Sequence, residues 1–154
     1  MGGASRWWLH HALESLSASL HGKLQLYRGE PLAILSKLAS DTSAQGVYWN
    51  RCYEPWRIAR DGEIKTALKA ANIEVQSFNG SLLWEPWQVL KKDQTPYKVF
   101  TPYYRRGCLS KVSPRKPLAP PNSIHSLDLS EGSLTLNELE LKPIIKWAVS
   151  YTHL

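Results

Sequence analysis

Cysteine is scarce in this sequence, and long apolar runs are missing from it. The 154 residues contain only Cys52 and Cys108, which lie far apart and match no metal-binding or redox spacing, so we expect two reduced thiols in a cytoplasmic protein. No stretch approaches the roughly 18 apolar residues that a membrane span requires, so we expect no membrane association. The chain begins directly with a helical pattern, and we therefore expect no signal peptide.

The patterns that hold phosphate, a metal ion or a catalytic nucleophile are missing as well. The glycine pair that starts at Gly2 has no preceding strand and no later glycine at the spacing of a phosphate-binding loop. His10 and His11 are adjacent on a predicted helix, so they point about 100° apart and cannot chelate one metal ion together. We interpret both as surface or partly buried helix side chains. The sequence therefore predicts no metal site, no nucleophile and no general base.

Positive charge, in contrast, is abundant and unevenly spread. The length, with 43% hydrophobic and 21% charged residues, is typical of one soluble globular domain. The net charge is +6, and the window 91–116 alone carries +7 because its single acidic residue is Asp93. This basic stretch, interleaved with aromatic residues, either contacts nucleic-acid phosphate or forms a solvated linker or a surface that docks on an acidic neighbour; we favour the second interpretation. Its cations are Lys91, Lys92, Lys98, Arg105, Arg106, Lys111, Arg115 and Lys116.

The spacing of apolar residues predicts helices that alternate with strands. We expect Ser5 to cap the first helix, Gly22 to end it, and prolines at first helical positions to open the next two. Such alternation is typical of an α/β fold with a parallel sheet and helices on both of its faces. The predicted helices span 5–21, 31–40 and 55–71, and the predicted strands span 24–27, 47–50 and 73–78.

Beyond residue 100 the pattern changes. A short helix over 101–110 is predicted, with Thr101 as its cap and Pro102 at its first position. A proline-rich linker follows, and 134–141 has the pattern of one or two helical turns. The last six residues, 149–154, fit no capped element, and our hypothesis is that they are non-native.

Residues 47–68, VYWNRCYEPWRIARDGEIKTAL, combine a strand, a polar loop and a helix. This order places the loop at the carboxyl edge of a parallel sheet, where ligands bind. Four tryptophans follow or end predicted strands, and they either stack on a planar ligand or pack in the core; for each taken alone, packing is favoured. They are Trp49, Trp56, Trp84 and Trp87.

Three segments carry a family resemblance. GGASRWWLHHALESL at 2–16, the segment 47–68, and PYKVFTPYYRRG at 96–107 together resemble the N-terminal domain of DNA photolyases and cryptochromes, in order and in spacing. The resemblance covers residues 2 to about 109, and 136–148 is similar to the segment after the family's long interdomain loop. It implies an antenna domain over 1–109 and an interdomain linker over 110–154.

The resemblance also implies that this chain contains only part of the family's domain architecture. In the family's doubly wound sheet, of strand order 3-2-1-4-5, the first two strands would be missing here, together with the helical domain that binds FAD. We therefore expect a partial doubly wound parallel sheet. In the structure we expect 24–27 to pair with 47–50 as a third strand, and in solution a loose core with a broad thermal transition.

The activity that the resemblance implies is that of a deoxyribodipyrimidine photo-lyase. In this enzyme class light-excited FAD donates an electron to a cyclobutane pyrimidine dimer in DNA and splits it. UV-damaged DNA and the FAD domain would be the partners, and the full-length protein would be a monomer. By itself this chain is expected to be inactive. The alternatives are a cryptochrome-type photoreceptor without repair activity and, less favoured, a stand-alone nucleotide-binding module.

The resemblance places the antenna-chromophore pocket at the loop after the second predicted strand. Trp56-Arg57 stands where folate-binding relatives have an Asn-Glu pair, and Cys52 stands where deazaflavin-binding relatives have an acid. The antenna is therefore left open among a folate, a deazaflavin and another chromophore. The pocket residues that it implies are Asn50, Cys52, Tyr53, Glu54, Trp56 and Arg57.

Overall fold

The computed structural model describes residues 2–111, 113–114, 116–127 and 132–142, and its elements are those of an α/β protein. Two units are separable, Met1–Glu30 with Pro120–Leu154, and Pro31–Ala119. Arg115 and the tail 149–154 lie outside the described residues. The elements are α1 (Gly3–Ser19), α2 (Pro31–Thr42), β1 (Gly46–Asn50), α3 (Pro55–Ala70), β2 (Glu74–Phe78), α4 (Phe100–Pro102) with a π-helical continuation (Tyr103–Cys108), and 3₁₀ turns at Pro86–Gln88 and Asn137–Leu139.

The unit Pro31–Ala119 is built on a parallel pair of strands joined by α3. β1 and β2 pair in register, with Val47 opposite Val75, as the predicted alternation requires. Ile64 and Leu68, one helical turn apart on α3, face this sheet and are 4% and 1% exposed. Together with Val75 they form the buried cluster of the unit. The partly buried residues packed on it are Leu32, Leu35, Val47, Trp49 and Ile73.

The predicted strand at 24–27 does not form, and our expectation of a third strand beside β1 was wrong. In the described residues the sheet has two strands, and residues 24–27 form no strand hydrogen bonds with either of them. Its backbone groups pair elsewhere in its own unit: the Leu134 amide donates to the Leu26 carbonyl at 2.7 Å, and the Leu26 amide donates to Ser133 Oγ at 3.1 Å. Alternating apolar residues define a strand only when a partner strand accepts their backbone bonds.

We predicted helices on both faces of the sheet, but the side chains on one face are largely exposed. Tyr48 and Phe78 point away from the α3 side and remain 55% and 49% exposed. Their rings lie 6.4 Å apart, and the Tyr48 hydroxyl donates to the Glu74 carboxylate at 2.9 Å. A parallel sheet is ordinarily buried on both faces, so this face is unusual.

Two predicted helix starts were misplaced. α1 begins at Gly3 with Gly2 as its N-cap residue, so Ser5 lies inside the first turn. α4 begins at Phe100, one residue before the predicted cap Thr101. Its continuation over Tyr103–Cys108 is π-helical and packs closely at Gly107, where a Cβ would lie 2.7 Å from the Val89 side chain.

α1 is partly buried along its apolar spacing. Leu9 and Leu13 are half-buried, whereas Trp8 and Leu16 are 67% and 44% exposed. The one fully buried residue of α1 is His10, at 2% exposed. The predicted turn within 134–141 is confirmed as a single 3₁₀ turn, Asn137–Leu139. None of the helices in the described residues is long and apolar enough to cross a bilayer.

We predict that Leu68→Ala loosens the sheet. Removing a fully buried leucine costs about 2–5 kcal/mol, because it leaves a cavity beneath β1 and β2. Hydrogen exchange at the amides of both strands should accelerate accordingly. Leu118→Ala, the same substitution at a side chain that is 81% exposed, is the control. Equal acceleration by the two variants would contradict the assigned core.

Candidate functional site

The candidate site lies at the carboxyl ends of β1 and β2. The ladder continues one bond past the strands, since the Arg51 amide donates to the Phe78 carbonyl at 2.8 Å. The turn after β2 then brings Gly80 against the side chain of Asn50. A Cβ at Gly80 would overlap the Asn50 amide group, so glycine allows this close approach without displacing the Asn50 side chain.

Arg51 connects both strand ends to the loop that follows β2. Its guanidinium donates to the Ser77 carbonyl and, at 3.2 Å, to Ser77 Oγ. It also forms an ion pair with Glu85, 34 residues later. Its Cζ lies 5.4 Å from the centroid of the Trp87 ring, a cation–π distance. Arg51 thereby fixes the loop against the sheet.

Glu85 is the buried partner of this network. The residue is 6% exposed, and its second carboxylate oxygen accepts a 2.6 Å hydrogen bond from the Tyr53 hydroxyl. Its backbone amide donates to Gln88 Oε1 at 2.7 Å, within a capping box that starts the 3₁₀ turn. Burial and the bond to Glu85 raise the pKa of Tyr53. The Tyr53 hydroxyl is therefore a neutral donor at physiological pH.

A cleft of about 620 Å³ opens beside this network at the start of α3. Arg57 is its central cation: the guanidinium donates to Cys52 Sγ at 3.3 Å and lies 3.7 Å from the Glu54 carboxylate. The bond to Cys52, followed by the charge of Glu54, raises the pKa of Arg57. Its Nε is buried and has no hydrogen-bond partner among the described residues. The lining residues are Asn50, Arg51, Cys52, Tyr53, Glu54, Arg57, Gly80 and Ser81.

Trp56 is the predicted pocket residue that does not line this cleft. Its ring is 61% exposed, and the guanidinium carbons of Arg57 and Arg60 lie 5.0 and 5.5 Å from its centroid. Trp49, in β1, likewise has Lys65 Nζ 5.7 Å from its ring. Cations of the protein itself therefore lie over Trp49, Trp56 and Trp87.

The sequence missed Arg51 and Glu85. The structure brings the predicted pocket residues other than Trp56 together around one cleft, but Arg51 and Glu85 make the contacts that hold its wall. A signal was present in WEPWQ, where a glutamate precedes Pro86 and stands three residues before Gln88, the pattern of a capped turn. Nothing local in the sequence connects that turn to Arg51.

The predicted basic stretch is exposed. Lys98, Arg105 and Arg106 all face solvent, and none forms an ion pair within the described part of the chain. They flank the rings of Phe100 and Tyr104, which stack at 5.8 Å with an interplanar angle of 5°. Both cysteines are free thiols, as predicted. The described residues contain no group of three or more His, Cys, Asp or Glu side chains that could hold a metal ion.

Comparison with known proteins places this geometry in a family. The DNA photolyase family model matches residues 1–122. The deoxyribodipyrimidine photo-lyase of Agrobacterium fabrum is 39% identical over 146 residues, 93% of this chain and 30% of that protein. Cryptochrome-1 of Arabidopsis thaliana is 36% identical over 134 residues, 84% of this chain and 20% of that protein.

A solved structure agrees with these matches. The crystal structure of a bacterial class III photolyase from Agrobacterium tumefaciens is similar with a TM-score of 0.85 at 39% identity, over 92% of this chain and 30% of that chain. The chain thus spans about 30% of the length of these two Agrobacterium photolyases.

We predict that Glu85→Gln lowers the pKa of Tyr53. The substitution removes a negative charge that disfavours the tyrosinate, and it weakens the bond that favours the neutral phenol, while the contribution of burial remains. NMR titration of the phenol rings measures the shift. Tyr48 is the internal control, because its raised pKa comes first from its bond to Glu74. A Tyr53 titration that Glu85→Gln leaves unchanged would contradict the network.

Proposed function

The chain belongs to the DNA photolyase family, and on that premise we propose that it forms the antenna domain of a light-dependent deoxyribodipyrimidine photo-lyase. The observation that carries the proposal is the cleft at the carboxyl edge of β1, where the side chains of Cys52, Tyr53 and Arg57 converge. A crevice at this edge is the usual ligand position of open α/β sheets. The cleft is wide enough for a planar cofactor, since ligand pockets range over about 300–1,000 Å³.

The repair chemistry belongs to the whole enzyme. FAD, held by a helical domain, would supply the electron that splits the pyrimidine dimer in UV-damaged DNA, and the antenna chromophore would pass light energy to it. This chain would contribute binding and orientation of the antenna and no catalytic residue. We therefore expect it to restore no dimer by itself. We propose a cytoplasmic enzyme that is monomeric at full length.

The residues present fit a chromophore with a carbonyl or carboxylate group. Arg57 has a buried Nε without a partner in the described residues, and a donor of this kind suits an acceptor on the ligand. The dipole at the N-terminal end of α3 also favours negative charge, although Pro55 has no backbone N–H and Arg57 and Ile58 donate theirs to the Glu54 carbonyl. Tyr53 supplies a ring face and a neutral hydroxyl. A folate and a deazaflavin both carry such acceptors, so this chemistry does not separate them.

The surroundings of the sheet are part of the proposal. We propose that the family's doubly wound sheet continues at the free edge of β1 and that a helix covers Tyr48 and Phe78 in the full-length enzyme, with the domain extending over 1–109 and the linker over 110–154. For Lys98, Arg105 and Arg106 we propose docking on an acidic surface of the FAD domain rather than on DNA. The adjacent exposed rings favour a surface that buries apolar area.

A cryptochrome-type photoreceptor is the second candidate. The 36% identity to Cryptochrome-1 supports it, because the same α/β domain would serve a sensor that repairs nothing. The photo-lyase is favoured by the higher identity, 39%, and by the photolyase structure at the same identity.

We predict that the chain binds a chromophore through Arg57. Titration with a reduced folate, a deazaflavin and FAD in separate arms should quench tryptophan fluorescence saturably in at least one arm. Arg57→Gln should weaken that binding about tenfold, the effect of one charge-assisted hydrogen bond. The control is Lys69→Gln, which removes a cation at the far end of α3.

If Arg57→Gln and Lys69→Gln weakened saturable binding equally, the result would show that overall charge, and not the cleft, attracts the ligand. Absence of binding in all three arms would contradict the antenna proposal.

A further inference from the structure

A second cavity, of about 470 Å³, lies in the unit that contains α1. One wall is the first half of α1, and the other is the 3₁₀ turn Asn137–Leu139 with the residues after it. The cavity has no part in the antenna cleft, which lies in the other unit. Its lining residues are Arg6, His10, Asn137, Glu140, Leu141 and Lys142.

His10 gives this cavity an unsatisfied polar group. The residue is 2% exposed, and its Nδ1 has no hydrogen-bond partner among the described residues. Burial, followed by the charge of Lys142, lowers the pKa of His10, while Glu14 opposes this effect. The ring is thus neutral at physiological pH and offers one N–H donor and one acceptor. Buried polar atoms normally have partners, so an orphaned one marks a place for a ligand or a water molecule.

The charged side chains around the cavity are mostly cationic. Within the described residues neither Arg6 nor Lys142 forms an ion pair; the Arg6 guanidinium donates instead to the Glu140 carbonyl. Glu140 is the single acidic residue among those lining the cavity. Glu14, nearby on α1, is engaged by His11, whose Nδ1 lies 3.0 Å from its carboxylate. The cavity therefore has two cations without carboxylate partners against one carboxylate.

We propose that this cavity binds a small oxyanion, a phosphate or a carboxylate group. Arg6 keeps guanidinium N–H groups beyond the one that binds Glu140, and guanidinium presents them in a fork that matches oxyanions. Lys142 adds a second charge, and the Asn137 amide adds neutral donors. Donors from a helix and from a separate turn converge on one cavity that the buried, unpartnered His10 also lines, and this buried group is what distinguishes the site from a solvated basic surface.

The test is a titration of the full chain, with inorganic phosphate in one experiment and acetate in another. Calorimetry and the NMR resonances of the His10 ring measure the binding. Arg6→Gln should weaken binding about tenfold, and Lys142→Gln should weaken it as well. Glu140→Gln should tighten it, because the variant removes the opposing charge. The matched control is Arg28→Gln: Arg28 also donates to a backbone carbonyl of this turn, that of Glu138 at 3.1 Å, but does not line the cavity.

Saturation by phosphate alone would assign the site to phosphate groups, and saturation by acetate alone would assign it to carboxylates. Saturation by neither anion would overturn the proposal, and so would equal losses in Arg6→Gln and Arg28→Gln. Chromophore binding should be the same in Arg6→Gln as in the unaltered chain, which keeps the outcome separate from that of the antenna proposal.

Discussion

The ion pair between Arg51 and Glu85 is the contact on which the ligand edge of the sheet depends. Arg51 leaves the end of β1 and reaches the backbone and hydroxyl of Ser77 in β2, so it spans both strands before it meets Glu85. Glu85 is nearly fully buried, and a buried carboxylate without a cation is costly, by about 3–5 kcal/mol when a fully buried pair is broken. Arg51 is 30% exposed, which reduces that figure here. Arg51 neutralises the Glu85 carboxylate, and this ion pair fixes the position of the loop after β2.

The cleft follows from that constraint. With Glu85 fixed, the Tyr53 hydroxyl has a defined acceptor, and the loop from 50 to 54 forms one wall of the cleft. Ile64 and Leu68 pack α3 against the sheet. Arg57, in the first turn of α3, is therefore held on a rigid helix. Gly80 completes the wall by allowing the backbone to approach Asn50. The site is therefore held by buried packing on one side and by a charge network on the other.

Local patterns were sufficient for the elements that are stabilised locally. β1, α3 and β2 formed within a few residues of the predicted bounds, because alternating and helical apolar spacing each identify a buried face. The family resemblance implied a pocket at Asn50, Cys52, Tyr53, Glu54 and Arg57, and these five side chains line one cleft. That the cleft is the antenna pocket is our proposal. Segment 24–27 has equally good alternation but no partner strand, and pairing cannot be deduced from one segment alone. The link from Arg51 to Glu85 spans 34 residues, and the buried position of His10 depends on a turn more than a hundred residues away; neither has a local signature.

The most direct measurement of the central role of Arg51 is amide hydrogen exchange over residues 79–88 in Arg51→Met, a variant that keeps most of the side-chain volume and removes the charge. We expect this loop to lose protection while the β1–β2 ladder and the α3 amides keep theirs, because the core cluster is untouched. Unchanged protection of residues 79–88 would contradict it, and would mean that packing alone, without the buried ion pair, holds the ligand edge in place.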